Sequence, residues 1–218
     1  VHSIISFDFA VGNVTGWHST IFPPYFVVGA VFSGFAMILC LLLPLRKYLH
    51  LRKFITDDHI DKCALMMLYS GFVMIFFYLL EFFFMGIAHH EHEQFLLMER
   101  AVGEHALAFW GMIFFNCLFP LTLIHEKWRH HKIWLFIVSL GVLIGMWFER
   151  YVIVVTSLEN DKLPAVRQIY EATVWDWSLF IGTLIFFLFL FLLFIRLFPF
   201  LPIGEIKTWI ENQEEDHE

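Results

Sequence analysis

IFPPYFVVGAVFSGFAMILCLLLP, residues 21–44, contains no Asp, Glu, Lys, Arg or His. As a helix it would be about 36 Å long at 1.5 Å per residue, enough to cross a hydrocarbon core of about 30 Å. Pro23 and Pro24 fall in its first turn, where a missing N–H costs nothing. Ala30 and Gly34 are four apart and flanked by Gly29, Ser33 and Ala36, a small-residue face for close helix packing. The stretch reads as a transmembrane helix, and the rest of the chain is written in the same style.

Four further apolar runs follow. They extend over 61–88 with Glu81 inside, 104–124 with Pro120 near the end, 133–155, and 177–200. The fourth run carries Gly141 and Gly145 as a GxxxG and holds Glu149–Arg150 within its apolar length. The fifth is almost wholly Phe, Leu and Ile and is expected to face lipid. The chain is 59% hydrophobic with 28 Phe, against about 45–50% apolar residues in soluble domains. Mean hydropathy is +0.70. The runs are continuous and lack period-2 alternation, which excludes a barrel. The expected fold is an all-α polytopic membrane protein, a helical bundle of five transmembrane helices plus the end of a sixth.

That sixth element is VHSIISFDFAV, residues 1–11, too short to span a bilayer. It is expected to be the end of a truncated transmembrane helix completed elsewhere; a short re-entrant or interfacial segment is the alternative. Residues 12–203 then form the five-helix membrane bundle and 204–218 an acidic tail.

Charge fixes orientation and excludes some functions. Arg46, Lys47, Arg52, Lys53 and Lys62 lie between the first and second runs, Lys127, Arg129 and Lys132 between the third and fourth, and Arg196 and Lys207 after the fifth. The alternate loops hold only Arg100, Lys162 and Arg167. The positive-inside rule puts the basic loops and the C-terminus in the cytoplasm. A net charge of −7, concentrated in loops and in the tail ENQEEDHE, argues against nucleic acid as a partner. Cys40, Cys63 and Cys117 are scattered without a CxxC, and no P-loop, GxSxG or HExxH occurs.

Counting along the helices then gives depth. Glu81 lies about 27 Å from Cys63 and Glu149 about 24 Å from Ile133, both toward the outer leaflet. Glu104 and His105 open the third run from that side, Asp176 precedes the fifth, and His2 and Asp8 belong to the first segment. The ionisable residues form an outer layer, with Glu81 and Glu149–Arg150 beneath apolar collars. Buried charges in a membrane are costly and are paired or functional. Arg150 is expected to pair with Glu81 or Asp8, which would be a purely structural role. Glu149 points about 100° away and need not share that partner.

His89, His90, Glu91, His92 and Glu93 carry metal-binding side chains at close spacing, but in a segment read as an exposed loop; no metal is expected on this chain. Membrane-embedded histidine is too sparse for bis-histidine haem. A quinone site without haem or metal fits better, because it needs a protonatable acceptor near a quinol hydroxyl and a proton route to one side. The proton-path candidates are His2, Asp8, Glu81, Glu104, His105, Glu149 and Arg150.

The stretches VHSIISFDFA and GWHSTIFPPYFVVGAVFSGFAM resemble the central motif of the NrfD/polysulphide-reductase family of membrane subunits. Within it they are similar to the quinol-interacting integral-membrane subunit of bacterial alternative complex III. GEHALAFWGMIFFN, GMWFERYVIVVTSL and RLFPFLPIGEIK carry the same likeness. The resemblance implies a ten-helix subunit of which this chain would be the C-terminal half. It implies menaquinol oxidation near the outer face of the bacterial inner membrane, with electrons passing to haem-c and iron–sulfur subunits. Much of the quinol pocket would lie in the N-terminal half or a partner membrane subunit. The alternative is a structural membrane anchor for peripheral redox subunits.

Overall fold

The computed structural model describes residues 1–12, 14, 16–17, 21–87, 91–159 and 170–198, without the side chains of Lys53, Glu91, His92 and Glu93. Among them every regular element is helical. α1 is His2–Val11, α2 Phe22–Tyr48, α3 Asp57–Ile87 and α4 Glu91–Val102. α5 is Ala106–Ile124, α6 Glu126–His130, α7 Lys132–Glu159 and α8 Val174–Leu197. α2, α3, α5, α7 and α8 are long and apolar enough to cross a membrane, and the protein is a multi-pass membrane protein. Val1–Ile169 form one compact unit and Tyr170–Glu218 a second.

In the first unit α2 packs on α3 and α7, and α7 packs on α5. Glycines set the close approaches. On α3, Gly71 lies beneath the Phe32 ring, 3.2 Å from where a Cβ would stand. On α7, the expected GxxxG is a true contact. A Cβ on Gly141 would fall 2.4 Å from Phe119 and one on Gly145 2.3 Å from Asn116 Oδ1, both on α5. The small-residue face of α2 behaves differently from expectation. Gly29 is buried against Met146, Arg150 and Met74, whereas Gly34 meets nothing. Ala30, Ser33 and Gly34 line a cavity instead, with Leu143, Met146 and Trp147 of α7 among its other walls.

Several boundaries move for physical reasons. α3 begins at Asp57, one turn earlier than the apolar run, because Asp57 and Asp58 suit the positive N-terminal end of a helix. Arg46 and Lys132 hold Asp57 at 2.8 and 2.6 Å. α2 continues through Pro44 to Tyr48, and the Arg46 ion pair lies in that last turn. α8 starts at Val174 because Thr173 and Asp176 form a capping box; Asp176 is inside the helix, not ahead of it. Residues 91–102, read from their polarity as loop, form the helix α4. They bury Leu96 and Arg100, four apart on one face. Glu104 and His105 lie in the turn before α5 rather than in its first turn.

α1 is held chiefly by the Phe9 ring. Phe9 meets Trp17 edge-on at 4.7 Å and stacks on Phe22 and Phe26. The Trp17 indole N–H donates to the Ile153 carbonyl at 2.9 Å, joining the α1–α2 turn to α7. Opposite this end, Arg129 bonds Asp61 at 2.5 Å, which ties α6 to α3 beside the Asp57 ion pairs.

Candidate functional site

Two spanning helices open into π-turns, Phe114–Leu118 in α5 and Val152–Thr156 in α7. A π-turn inserts one residue into a helix, shifts the face its side chains present, and is frequent at functional sites. The first contains Asn116; the second begins one residue past Glu149–Arg150, after Tyr151. Between them lies a cluster of fully buried polar groups.

Glu149 is 0% exposed. The Tyr78 hydroxyl from α3 donates a short hydrogen bond to its Oε2. Asn116 Nδ2 donates to Tyr78 Oη at 2.8 Å and to Glu149 Oε2 at 3.3 Å. Tyr25 from α2 stands beside this group, its ring meeting Tyr78 edge-on at 5.7 Å. Side chains of α3 and α5 thus converge on one carboxylate of α7, with α2 packed behind Tyr78. Its other oxygen, Oε1, faces Arg150 Nη2 at 3.3 Å as an ion pair. Among the described residues Glu149 Oε1, Asn116 Oδ1 and Arg150 Nη1 have no hydrogen-bond partner. Arg150 lies 3.8 Å over the Phe26 ring, a cation–π contact. On its far side is a cavity of about 470 Å³ whose walls include His2, Phe26, Ala30, Gly34, Trp147 and Arg150.

A second group lies toward the Ile87–Glu91 end. Arg100 on α4 is 4% exposed. It donates to Glu81 Oε1 at 3.2 Å, Thr156 Oγ1 at 3.0 Å and Ser157 Oγ at 3.1 Å. Gly16, in the left-handed region at φ 86°, lets the α1–α2 turn close over it. A Cβ there would sit 3.1 Å from Arg100 Nη2 and 2.8 Å from Leu96. In a third group His105 Nε2 lies 2.8 Å from Glu159 Oε2, and Tyr151 Oη lies 3.3 Å from His105 Nδ1.

The expected single layer is therefore three groups. Glu149 with Arg150, Glu81, and His105 each occupy one. His2 borders the cavity with its ring 6.2 Å from Phe26. Asp8 and Glu104 are exposed and join none of the three among the described residues. The expected Arg150 partners are corrected. Glu81 is taken by Arg100, from the helix that polarity hid, and Arg150 folds back on its own neighbour Glu149. Tyr78, Tyr25, Asn116 and Arg100 complete the groups without having been singled out. Asn116 is the one amide in the third apolar run, a signal that was present. The described residues gather no three metal-ligating side chains; residues 89 and 90 and the side chains of Glu91, His92 and Glu93 lie outside the described residues.

Spanning helices that enclose a carboxylate, its tyrosine and amide partners and an arginine define a class: a polytopic membrane subunit with a polar interior toward one end. The chain belongs to the NrfD, polysulphide reductase, family, whose model matches residues 1–160. It is thereby an integral-membrane subunit of a redox complex, of a kind that associates with redox partner subunits. No curated protein matches it.

Proposed function

We propose that this chain serves a quinol-oxidising respiratory complex of the alternative complex III kind, in the bacterial inner membrane with its C-terminus cytoplasmic. The observation that carries the reading is Glu149, fully buried, bonded by Tyr78 and Asn116 and ion-paired with Arg150, which lines a 470 Å³ cavity. Aromatic and small apolar walls with three polar side chains, His2, Ser33 and Arg150, suit a ring bearing hydroxyls on an apolar tail. Menaquinol, when oxidised, gives up two electrons and two protons. The electrons would pass to haem-c and iron–sulfur partners, and the chain's own residues would handle protons. Arg150 and His2 would orient a hydroxyl at the cavity mouth. Glu149 would accept a proton, with Tyr78 and Asn116 fixing its Oε2. Glu81 and the His105–Glu159 pair would continue the path toward the outer face. In this reading Asp8 and Glu104 complete it together with the N-terminal half of the subunit or a partner membrane chain.

Glu149→Gln in the intact complex tests this. Loss of a positioned acid–base group is expected to lower quinol:acceptor turnover about a hundredfold or more while every subunit still assembles. Undiminished turnover and proton release in that variant would sink the proposal.

Arg100 favours a second reading, a structural membrane anchor for peripheral redox subunits. Each of its three nitrogens donates a hydrogen bond, to Thr156, Glu81 and Ser157, which is what a helix tie requires.

A further inference from the structure

Among the described residues, the ion pairs at the Tyr48–Asp57 end leave Lys47, Arg52 and Lys127 without an acid partner, and of these Lys127 lines a cavity. Between His125 and Lys132, Arg129 is held by Asp61 at 2.5 Å, His130 reaches Asp61 at 3.4 Å and Lys132 is held by Asp57 at 2.6 Å. Glu126, the nearest acid in sequence, lies 4.0 Å from Arg129. Lys127 has no ion-pair partner among the described residues. It lines a separate cavity of about 400 Å³ with Trp128, His131, Ile133, Trp134 and Ile137.

This cavity has a polar rim and an aliphatic floor. The Trp128 and Trp134 rings meet at 4.9 Å, and Thr122 Oγ1 fixes the Trp134 indole N–H at 3.1 Å. His131 Nδ1 accepts the Trp134 backbone N–H at 3.1 Å. A neutral ring accepting at Nδ1 carries its proton on Nε2, which remains a donor. Ile133 and Ile137, one turn apart on α7, are 67% and 42% exposed and continue the wall down the spanning helix. Tryptophan and lysine at the head of an apolar span mark the headgroup level of a bilayer.

We propose that this cavity holds one anionic phospholipid. Its phosphate bonds Lys127 and the His131 Nε2–H, its glycerol region lies against Trp128 and Trp134, and an acyl chain follows Ile133 and Ile137. A soluble anion has no use for the isoleucine floor. A zwitterionic lipid brings its own cation, which competes with Lys127 for the phosphate.

The test uses the assembled complex in phosphatidylcholine vesicles with and without phosphatidylglycerol, followed by detergent extraction and native mass spectrometry. The wild type is expected to retain phosphatidylglycerol in preference to phosphatidylcholine, and inorganic phosphate should not displace it. Lys127→Gln should weaken retention roughly fivefold, the loss of one cation's attraction to an anionic headgroup, and Lys127→Arg should keep it. Ile137→Ser should weaken retention with Lys127 intact. Equal retention of both lipids, unchanged retention in Lys127→Gln, or displacement by inorganic phosphate overturns the proposal.

Discussion

Glu149 treats its two oxygens differently. Oε2 takes Tyr78 and Asn116, whereas Oε1 faces only the Arg150 guanidinium. Tyr78→Phe keeps the ring and removes the donor to Oε2 and the acceptor of Asn116 Nδ2. Leaving buried polar groups short of partners costs about 1–3 kcal/mol, so the thermal midpoint of the purified protein should fall while helix content holds. An unchanged midpoint would show that neither bond matters. At this scale the sequence spoke through charge. Glu81, Glu149 and Arg150 stand out because ionised groups in apolar runs are costly. Tyr78 and Tyr25 did not, since a tyrosine among many phenylalanines looks like another ring. Nor could adjacency reveal that Arg150 turns back onto Glu149, because the side chain is long enough to undo the 100° offset of the backbone.

At the scale of the helix, two glycines on different elements make opposite forecasts. Gly145→Ala would bring a Cβ to 2.3 Å from Asn116 Oδ1 and 2.7 Å from Phe115 Cβ. Overpacking of this kind costs about 1–3 kcal/mol, and it should also push Asn116 off Tyr78. Gly34→Ala meets nothing within 4 Å and should leave stability unchanged or slightly raised. Thermal unfolding of the two variants side by side checks both. GxxxG on α7 and small-xxx-small on α2 are the same pattern in sequence. Only the second helix's position decides which face is filled. The π-turns have no local signature that was readable, yet they determine which way Asn116 and Thr156 point. α4 escaped notice because its buried face consists of little more than Leu96 and Arg100, too little for a hydropathy pattern.

For the molecule as a whole the spanning segments were legible from hydropathy, because bilayer thickness dictates their length more strictly than a soluble core would. What hydropathy cannot supply is how the segments are tied together. Arg100 joins α4 to α3 and α7 beneath the Gly16 turn. Arg100→Met leaves Glu81 without its partner in a mostly enclosed site. Breaking such a pair should cost about 3 kcal/mol or more. The expected outcome is a reduced amount of complex in membranes and, because Glu81 belongs to the proposed proton path, lowered turnover in each complex that does assemble; normal turnover per assembled complex would leave Arg100 and Glu81 as a helix tie alone.

The two ends of the bundle will also answer ionic strength differently. Asp57, Asp58 and Lys62 have side chains about two-thirds exposed, so added salt screens their attractions. Arg100 and Glu149, closed off from solvent, are screened far less. Salt therefore acts as a dial on the Asp57 ion pairs, relaxing the grip of α2 and α7 on α3 there while the enclosed charges, Arg129–Asp61 included, keep their geometry.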